Sequence, residues 1–261
     1  MKENKSFKIL YGAVLAVFVV SGMMLGIQLG KLRRGNEFYR QIGGGRGFSS
    51  AVFSDSISLG QPDASKNRGL EAVSLEAPEL SGYVSGLAEK YPGIAAWLQI
   101  PDTELDYPVM LGEDNQFYLD HLPDGSANPL GSLFLDCRSG KDGSHIIIYG
   151  HNGAGGKMFG LLKQYESKEF YREHAALTLV TPENVYVCPI FSVRRAEADS
   201  GAYQIEFAGE EEQKEYVRQA VRESFYPTDA DISHTAGIVT LSTCSGWGSQ
   251  RLIVQAVLPK K

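Results

Sequence analysis

Cysteine is scarce in this chain of 261 residues, which contains only Cys137, Cys188 and Cys244. Three widely separated thiols are too few for a disulfide framework, and their spacing is not that of a zinc site. We therefore expect neither a metal nor a cofactor. Cys188 lies in an apolar run and is predicted to be buried, whereas Cys137 follows Asp136 in a predicted loop. The alternative for these two residues is a Cys137–Cys188 disulfide.

Basic residues are scarce beyond residue 40. The first 40 residues carry seven Lys or Arg and two Glu, so residues 41–261 carry 18 basic and 29 acidic side chains, a net charge of −11. A domain with this charge has no electrostatic attraction for nucleic acid. We also do not expect it to lie on anionic lipid, apart from the basic residues just after the first apolar segment.

Charged residues are absent from Ile9 to Gly30. A helix that crosses a bilayer needs about 20 predominantly apolar residues, and this segment has that length. The alternative is a cleaved signal peptide, but the apolar run is long for one and lacks a clean small-x-small cleavage site. We predict a cytoplasmic N-terminus at 1–8 and a transmembrane anchor at 9–30. Basic residues flank both ends, so positive charge alone does not orient the anchor.

The rest of the chain is predicted to be a linker and one mostly β domain. Residues 31–75 are rich in Gly, Ser and Asp beyond residue 43, which is typical of a flexible linker, and the domain occupies 76–261. Its first element is a helix at 77–91, which Pro92-Gly93 ends. Short apolar runs with turn signals between them favour a closed or nearly closed barrel. Strands are predicted at 97–100, 132–135, 145–149, 177–181, 185–193, 203–207, 237–243 and 252–258.

Cys244 stands at the end of one of these predicted strands, on the same face as Thr240 and Ser242. The next six residues have turn composition, and a second apolar run follows Arg251. In a hairpin of symmetric register, Cys244 and Arg251 are directly opposed. A guanidinium lowers the pKa of a neighbouring thiol and favours the nucleophilic thiolate. The alternative is a small buried thiol beside a solvated arginine.

A nucleophilic thiol needs a proton carrier, and His151 is the best placed of the five histidines. It follows the run Ile146–Gly150 and precedes a glycine-rich loop, so a buried strand presents its imidazole at the rim of the sheet. His145 begins the same strand and is expected at its opposite end. We predict structural or solvent roles for the other four histidines: His121, His145, His174 and His234.

Three segments together resemble the signatures of sortases, the cysteine transpeptidases of Gram-positive cell surfaces. They are Tyr149–Asn152, Thr240–Cys244 and Arg251–Val254, and the resemblance extends over about residues 85–261. Further segments are similar to class B of the family: Tyr107–Val109, Asp114-Asn115, Phe117–Leu119, Gly131–Asp136 and a predicted helix at 210–225 before the Cys-bearing strand. The interval from Cys244 to Arg251 is shorter than in the best-known class B members, which bears on the wall of the substrate groove.

The resemblance implies an eight-stranded β-barrel with Cys244 as nucleophile, His151 as general acid and base, and Arg251 holding the substrate carbonyl or oxyanion. Second candidates, for substrate contact, are Ser242, Thr243, Tyr149 and Asn152. The implied substrates are surface proteins with a C-terminal sorting signal of the Asn-Pro-x-Thr-x or Ser-Pro-x-Thr-x type. The implied acceptor is a peptidoglycan cross-bridge or pilin amine. Because both lie outside the cell, the catalytic domain is expected on the extracellular face of a single-pass membrane protein.

Two other functions use the same residues differently. A cysteine endopeptidase would release the acyl group to water rather than to an amine. A non-catalytic surface protein would use the barrel for binding, and its Cys244 would not react with an alkylating agent at neutral pH. Pilin anchoring and pilin polymerisation are alternatives within the family.

Overall fold

The computed structural model describes residues 5–43, 66–139, 143–233, 235–244 and 250–259, with side chains from residue 10 in the first helix, from residue 77 in the second, and without the side chain of Cys244. Four α-helices are present in these ranges: α1 Lys5–Gly43, α2 Lys66–Lys90, α3 Lys168–Glu173 and α4 Glu210–Arg222. The strands are β1 Ile94–Gln99, β2 Asp106–Met110, β3 Leu133–Leu135, β4 His145–His151, β5 Ala176–Val180, β6 Val185–Glu197, β7 Gly237–Cys244 and β8 Gln250–Leu258.

The eight strands form a closed barrel in the order β1-β2-β3-β4-β7-β8-β6-β5. Most neighbours are antiparallel, but β2 pairs with β3 and β4 pairs with β7 in parallel. The hydrophobic core is large, and Trp97 and Ile147 are among its fully buried side chains. This confirms the mostly β, eight-stranded barrel that the sequence predicts.

Two strand predictions differ from the structure. Strand β2 is not among the predicted strands. Pro108 in its centre lacks an N–H, which weakens the sequence signal of a strand, but the structure pairs Pro108 with Trp97. The predicted strand at 203–207 is wrong. This segment crosses the outside of the barrel without joining the sheet, and Tyr203 and Phe207 pack on β4 instead. Their alternation reflects that packing rather than strand pairing.

Helix α4 lies between β6 and β7, as predicted for the insert before the Cys-bearing strand. Three glutamates occupy its first turn, where negative charge is favoured by the helix dipole. Val217 and Ala220 are buried against the barrel. Phe225, the last residue of the predicted helix 210–225, lies beyond the last helical residue and is exposed.

Helix α1 continues past the predicted anchor boundary at residue 30 and packs on the barrel. Tyr39 and Ile42 are buried, and the Tyr39 hydroxyl donates to the Gly131 carbonyl at 2.6 Å. The Asn128 side chain donates to the carbonyl of Lys31 at 2.7 Å. Residues 31–43 of the expected linker 31–75 are therefore helical and in contact with the domain, while residues 44–65 lie outside the described residues.

The N-terminal half of α1 has the composition of a membrane span. Among the described residues, the one helix long and apolar enough to cross a bilayer covers Leu10–Gly43, with a mean hydropathy of 2.2 in its most apolar window. Its large side chains from Leu10 to Leu29 are exposed, unlike those of a core helix. Length and composition therefore agree with the predicted anchor.

Candidate functional site

The parallel ladder of β4 and β7 brings two predicted site residues together. It pairs seven residues of each strand and ends with His151 beside Cys244. Residues paired across neighbouring strands point to the same face of the sheet. One face of the barrel wall therefore carries His151, Tyr149, Ser242 and the backbone position of Cys244. The Cys244 side chain itself lies outside the described part of the structure.

The antiparallel ladder of β7 and β8 agrees with the predicted position of Arg251. Its last recorded pair is Ser242 with Ile253. Continuing this register by two residues puts Cys244 opposite Arg251, on the face that carries Ser242. The connecting residues 245–249, which the sequence predicts to be a turn, lie outside the described residues.

The imidazole of His151 is held by a backbone carbonyl. Its Nε2 lies 2.5 Å from the carbonyl oxygen of Leu119, in the short 3₁₀ helix Phe117–Leu119. A carbonyl oxygen only accepts hydrogen bonds, so Nε2 carries a hydrogen. In the neutral ring Nδ1 is then the unprotonated nitrogen, and it is the one available to exchange a proton with a reacting group.

Arg251 lies beside two tyrosine rings. Its guanidinium carbon is 5.8 Å from the centre of the Tyr149 ring and 5.8 Å from the centre of the Tyr203 ring. These distances are within the range of cation–π attraction. The Nε of Arg251 is buried and has no hydrogen-bond partner among the described residues. A buried N–H donor without an acceptor is costly, so this atom is suited to a ligand oxygen.

Tyr149 is fixed at its other end by a buried carboxylate. Its hydroxyl donates to Oδ2 of Asp136 at 3.0 Å. Arg138 donates to both carboxylate oxygens of Asp136, from Nε at 2.9 Å and from Nη2 at 2.6 Å. Burial raises the pKa of Asp136, but the hydrogen bonds from Arg138, Asn115 and Tyr149 outweigh it and lower the pKa to about 2. The carboxylate is therefore ionised at neutral pH.

The second candidates for substrate contact fall into different places. Ser242 is buried, and its hydroxyl lies 2.9 Å from the Tyr203 hydroxyl on the face that carries His151. Thr243 points to the opposite face, where its hydroxyl bonds both the N–H and the carbonyl of Leu252. Asn152 is exposed, and its side chain makes no hydrogen bond to the described residues. The structure therefore groups Tyr149 and Ser242 with His151, but not Thr243 or Asn152.

The other histidines that the structure describes are held in positions consistent with structural roles. His145 is buried at the opposite end of β4, where Nδ1 bonds the Gln204 carbonyl and Nε2 bonds the Thr240 hydroxyl. His121 bonds the Phe117 carbonyl in a surface segment, and His174 follows α3 as predicted. His234 lies outside the described residues.

The two remaining cysteines are free thiols, so the alternative of a Cys137–Cys188 disulfide is not observed. Cys188 is fully buried, as predicted. Burial raises the pKa of its thiol, which keeps it protonated. Cys137 is partly exposed, in the turn that follows Asp136.

Several residues that support this face are not among the predicted site residues. Leu119, Asp136 and Arg138 act on it through hydrogen bonds, and Tyr203 through its ring and hydroxyl. The segments 117–119 and 131–136 stand out in the sequence because they are similar to class B sortases, but only tertiary contacts bring them to His151 and Tyr149. For Tyr203 the alternating pattern of 203–207 is the available signal, and it suggests a strand.

Comparison with known proteins identifies the family. The sortase domain family matches residues 98–259. Sortase B of Listeria monocytogenes is 28% identical over 264 residues, covering 98% of this chain and 99% of that protein. Sortase B of Staphylococcus aureus is 27% identical over 172 residues, covering 64% of this chain and 70% of that protein.

Solved structures agree in fold. The structure of sortase B from Listeria monocytogenes has a TM-score of 0.59 and 31% identity, covering 65% of this chain and 97% of that chain. A Staphylococcus aureus sortase B–substrate complex has a TM-score of 0.69 at 21% identity, covering 87% of this chain and 97% of that chain. The barrel, the family match and these relatives together show that the chain belongs to the sortase family, class B, and is a cysteine transpeptidase that acts on sorting signals.

Proposed function

We propose that Cys244, His151 and Arg251 are the catalytic residues, and that the chain cleaves an Asn/Ser-Pro-x-Thr-x sorting signal after Thr. The observation that carries the proposal is the end of the β4–β7 ladder, where His151 is aligned with Cys244 on one face of the sheet. The register of β7 and β8 supports Arg251 as the opposing residue. A thiol, an imidazole and a guanidinium on one face are the parts that acyl transfer requires.

In the first half-reaction, the Cys244 thiolate attacks the carbonyl carbon of the threonine. The electron pair of that carbonyl moves to its oxygen and gives a tetrahedral oxyanion. When the oxyanion collapses, the C–N bond breaks and protonated His151 gives a proton to the leaving amine. The product is a thioester between Cys244 and the substrate. The Leu119 carbonyl supports this role because it binds Nε2 and directs Nδ1 to the reaction.

In the second half-reaction, an acceptor amine attacks the thioester carbonyl. Neutral His151 takes a proton from the amine, and the Cys244 thiolate leaves as an amide bond forms. Arg251 stabilises the oxyanion in both halves. Its Nε is buried and has no hydrogen-bond partner among the described residues, which supports this role because the developing oxyanion would supply an acceptor.

The proposed acceptor is an amine of a peptidoglycan cross-bridge or a pilin, and the donor is a surface protein with a C-terminal sorting signal. Sortase B structures solved as a substrate complex and with triglycine are consistent with such donors and acceptors. We propose that residues 9–30 anchor the chain in the cell membrane, with the catalytic domain on the extracellular face. The apolar, exposed N-terminal half of α1 supports this placement.

Transfer to an amine separates this proposal from a cysteine endopeptidase. The full chain in detergent is incubated with an Asn-Pro-x-Thr-x peptide or a Ser-Pro-x-Thr-x peptide, each with and without a peptide that begins with glycines. We expect mass spectrometry to find the ligated amide, in an amount that rises with amine concentration. Release of only the free acid at every amine concentration would favour the endopeptidase, and absence of any cleavage of either motif would contradict the proposed substrate.

A further inference from the structure

The buried carboxylate of Asp136 accepts hydrogen bonds from three side chains that belong to different segments. Arg138 lies in the turn that follows β3, Tyr149 lies in β4, and Asn115 precedes the 3₁₀ helix that ends at Leu119. Asp136 is completely buried. A buried carboxylate with three donors holds all of them in fixed positions, since a lost donor would leave an unpaired charge in the interior.

The hydrogen bond from Tyr149 connects Asp136 to Arg251. The Tyr149 hydroxyl is fixed on Oδ2 of Asp136, and the ring of the same tyrosine lies beside the Arg251 guanidinium. A tyrosine that donates its hydroxyl hydrogen to a carboxylate also has a more electron-rich ring, which strengthens cation–π attraction. The orientation of Arg251 therefore depends on Asp136 through one intervening side chain.

The hydrogen bond from Asn115 connects Asp136 to His151. Asn115 bonds Asp136 through its side chain, and its Oδ1 accepts the N–H of Cys137 at 2.8 Å. These bonds tie the start of segment 115–119 to the turn after β3. The end of the segment is the Leu119 carbonyl that accepts from His151 Nε2. Movement of Asn115 would move that carbonyl and with it the imidazole.

We propose that Asp136 is a positioning residue that orients both Arg251 and His151 without contacting the substrate. This inference rests on the proposed function of those two residues. Its consequence is that loss of the carboxylate misplaces the cation and the imidazole together. Small displacements of catalytic groups cost about 100-fold in rate, so we expect the Asp136→Asn variant to lose roughly tenfold or more in kcat, with a smaller change in KM.

The pKa of the Cys244 thiol separates positioning from direct electrostatics. Replacing Asp136 by Asn removes a negative charge, which by itself lowers the pKa of a nearby thiol. If the carboxylate positions Arg251, its loss weakens the proposed attraction between guanidinium and thiolate and raises the thiol pKa. The two explanations therefore predict shifts of opposite sign. Global destabilisation lowers the amount of active protein but leaves the thiol pKa of the folded fraction unchanged.

The experiment measures the rate of Cys244 alkylation by iodoacetamide against pH in the full chain, with the modified peptide identified by mass spectrometry. The variants are Asp136→Asn and Tyr149→Phe, because the second removes only the hydroxyl that bonds Asp136 and changes no charge. Tyr203→Phe is the matched control, since its ring also lies beside Arg251 but its hydroxyl bonds Ser242 rather than Asp136.

We expect a raised thiol pKa in Asp136→Asn and in Tyr149→Phe. We also expect the double variant, which combines these two substitutions, to have a kcat close to that of Asp136→Asn alone. A lowered or unchanged thiol pKa in both single variants would overturn the inference, as would equal shifts in Tyr149→Phe and Tyr203→Phe. If Asp136→Asn does not fold, Tyr149→Phe decides alone. Failure of the proposed function is distinct, because the unmodified chain would then form no thioester with the sorting peptide.

Discussion

In the proposed mechanism, Arg251 is the residue whose chemistry is hardest to replace. Lysine keeps the positive charge but lacks the planar fork that meets an oxyanion with more than one donor. We expect Arg251→Lys to lower kcat by roughly 100-fold, the usual effect of losing one oxyanion donor, and to change substrate affinity much less. Steady-state kinetics with a sorting peptide measures both quantities. A large rise in KM with kcat unchanged would show that Arg251 binds the ground state instead.

The burial of His145 leads us to expect a pH effect on stability rather than on catalysis. Burial lowers the pKa of His145 to about 4 from an ordinary value of 6.5. Between these values the unfolded chain binds a proton that the folded chain does not, so the free energy of unfolding falls as the pH falls. A shift of this size corresponds to about 3 kcal/mol between pH 7 and pH 4.

The test compares the chain with a His145→Gln variant by urea unfolding at several pH values. The comparison needs the variant because Asp106 acts in the opposite direction: burial raises the pKa of Asp106 to about 6, so folding takes up a proton there as the pH falls. We expect the variant to lose less stability than the parent between pH 7 and pH 4. Equal losses would show that His145 is protonated in the folded state.

At the scale of elements, the turn before β3 determines where the Leu119 carbonyl lies. Gly131 has a φ of +61°, and a Cβ atom there would lie 2.5 Å from the Leu119 carbonyl oxygen. We expect Gly131→Ala to destabilise the fold and to lower kcat, because the displaced carbonyl is the one that holds His151. Thermal unfolding and peptide cleavage measure the two effects.

Gly125→Ala is the matched control for this prediction. Gly125 has a φ of +78°, but a Cβ atom there would meet nothing within 4 Å. The backbone strain alone costs about 1–2 kcal/mol, so stability should fall slightly while kcat stays unchanged. Equal loss of kcat in both variants would mean that the Leu119 carbonyl is not what links Gly131 to activity.

Seven of the eight strand predictions correspond to observed strands, because each of those runs is apolar and is bounded by turn residues. The sequence also favours the Cys244–Arg251 pairing, since the symmetric register of a hairpin follows from its turn length. Strand β2 and the segment 203–207 could not be predicted in this way. Pro108 weakens the signal of a strand that tertiary packing completes, and Tyr203 to Phe207 alternate because they cover β4 from outside.

For the whole molecule, α1 links the apolar segment directly to the barrel. The expected flexible linker would let the domain move freely from residue 31, but Tyr39 and Ile42 are buried against it. Local composition could not reveal this contact, because it depends on surfaces about 90 residues away in the chain. The Tyr39 hydroxyl, for example, meets Gly131 and Ser132.

Two truncations test the structural role of this helix. Removing residues 1–30 takes away only the proposed anchor, whereas removing residues 1–43 also takes away the buried Tyr39 and Ile42. We expect the second truncation to be less stable than the first by at least about 3 kcal/mol, from lost burial and hydrogen bonding. Urea unfolding of the two proteins measures the difference, and equal stability would show that 31–43 do not contribute to the domain.

The central claim is that Cys244 carries the acyl group. The most direct measurement is the intact mass of the full chain mixed with an Asn-Pro-x-Thr-x peptide without an amine, followed by peptide mapping. We expect one thioester adduct, on Cys244, which is retained in Cys137→Ala and absent in Cys244→Ala. An adduct on Cys137, or one that persists in Cys244→Ala, would contradict the account.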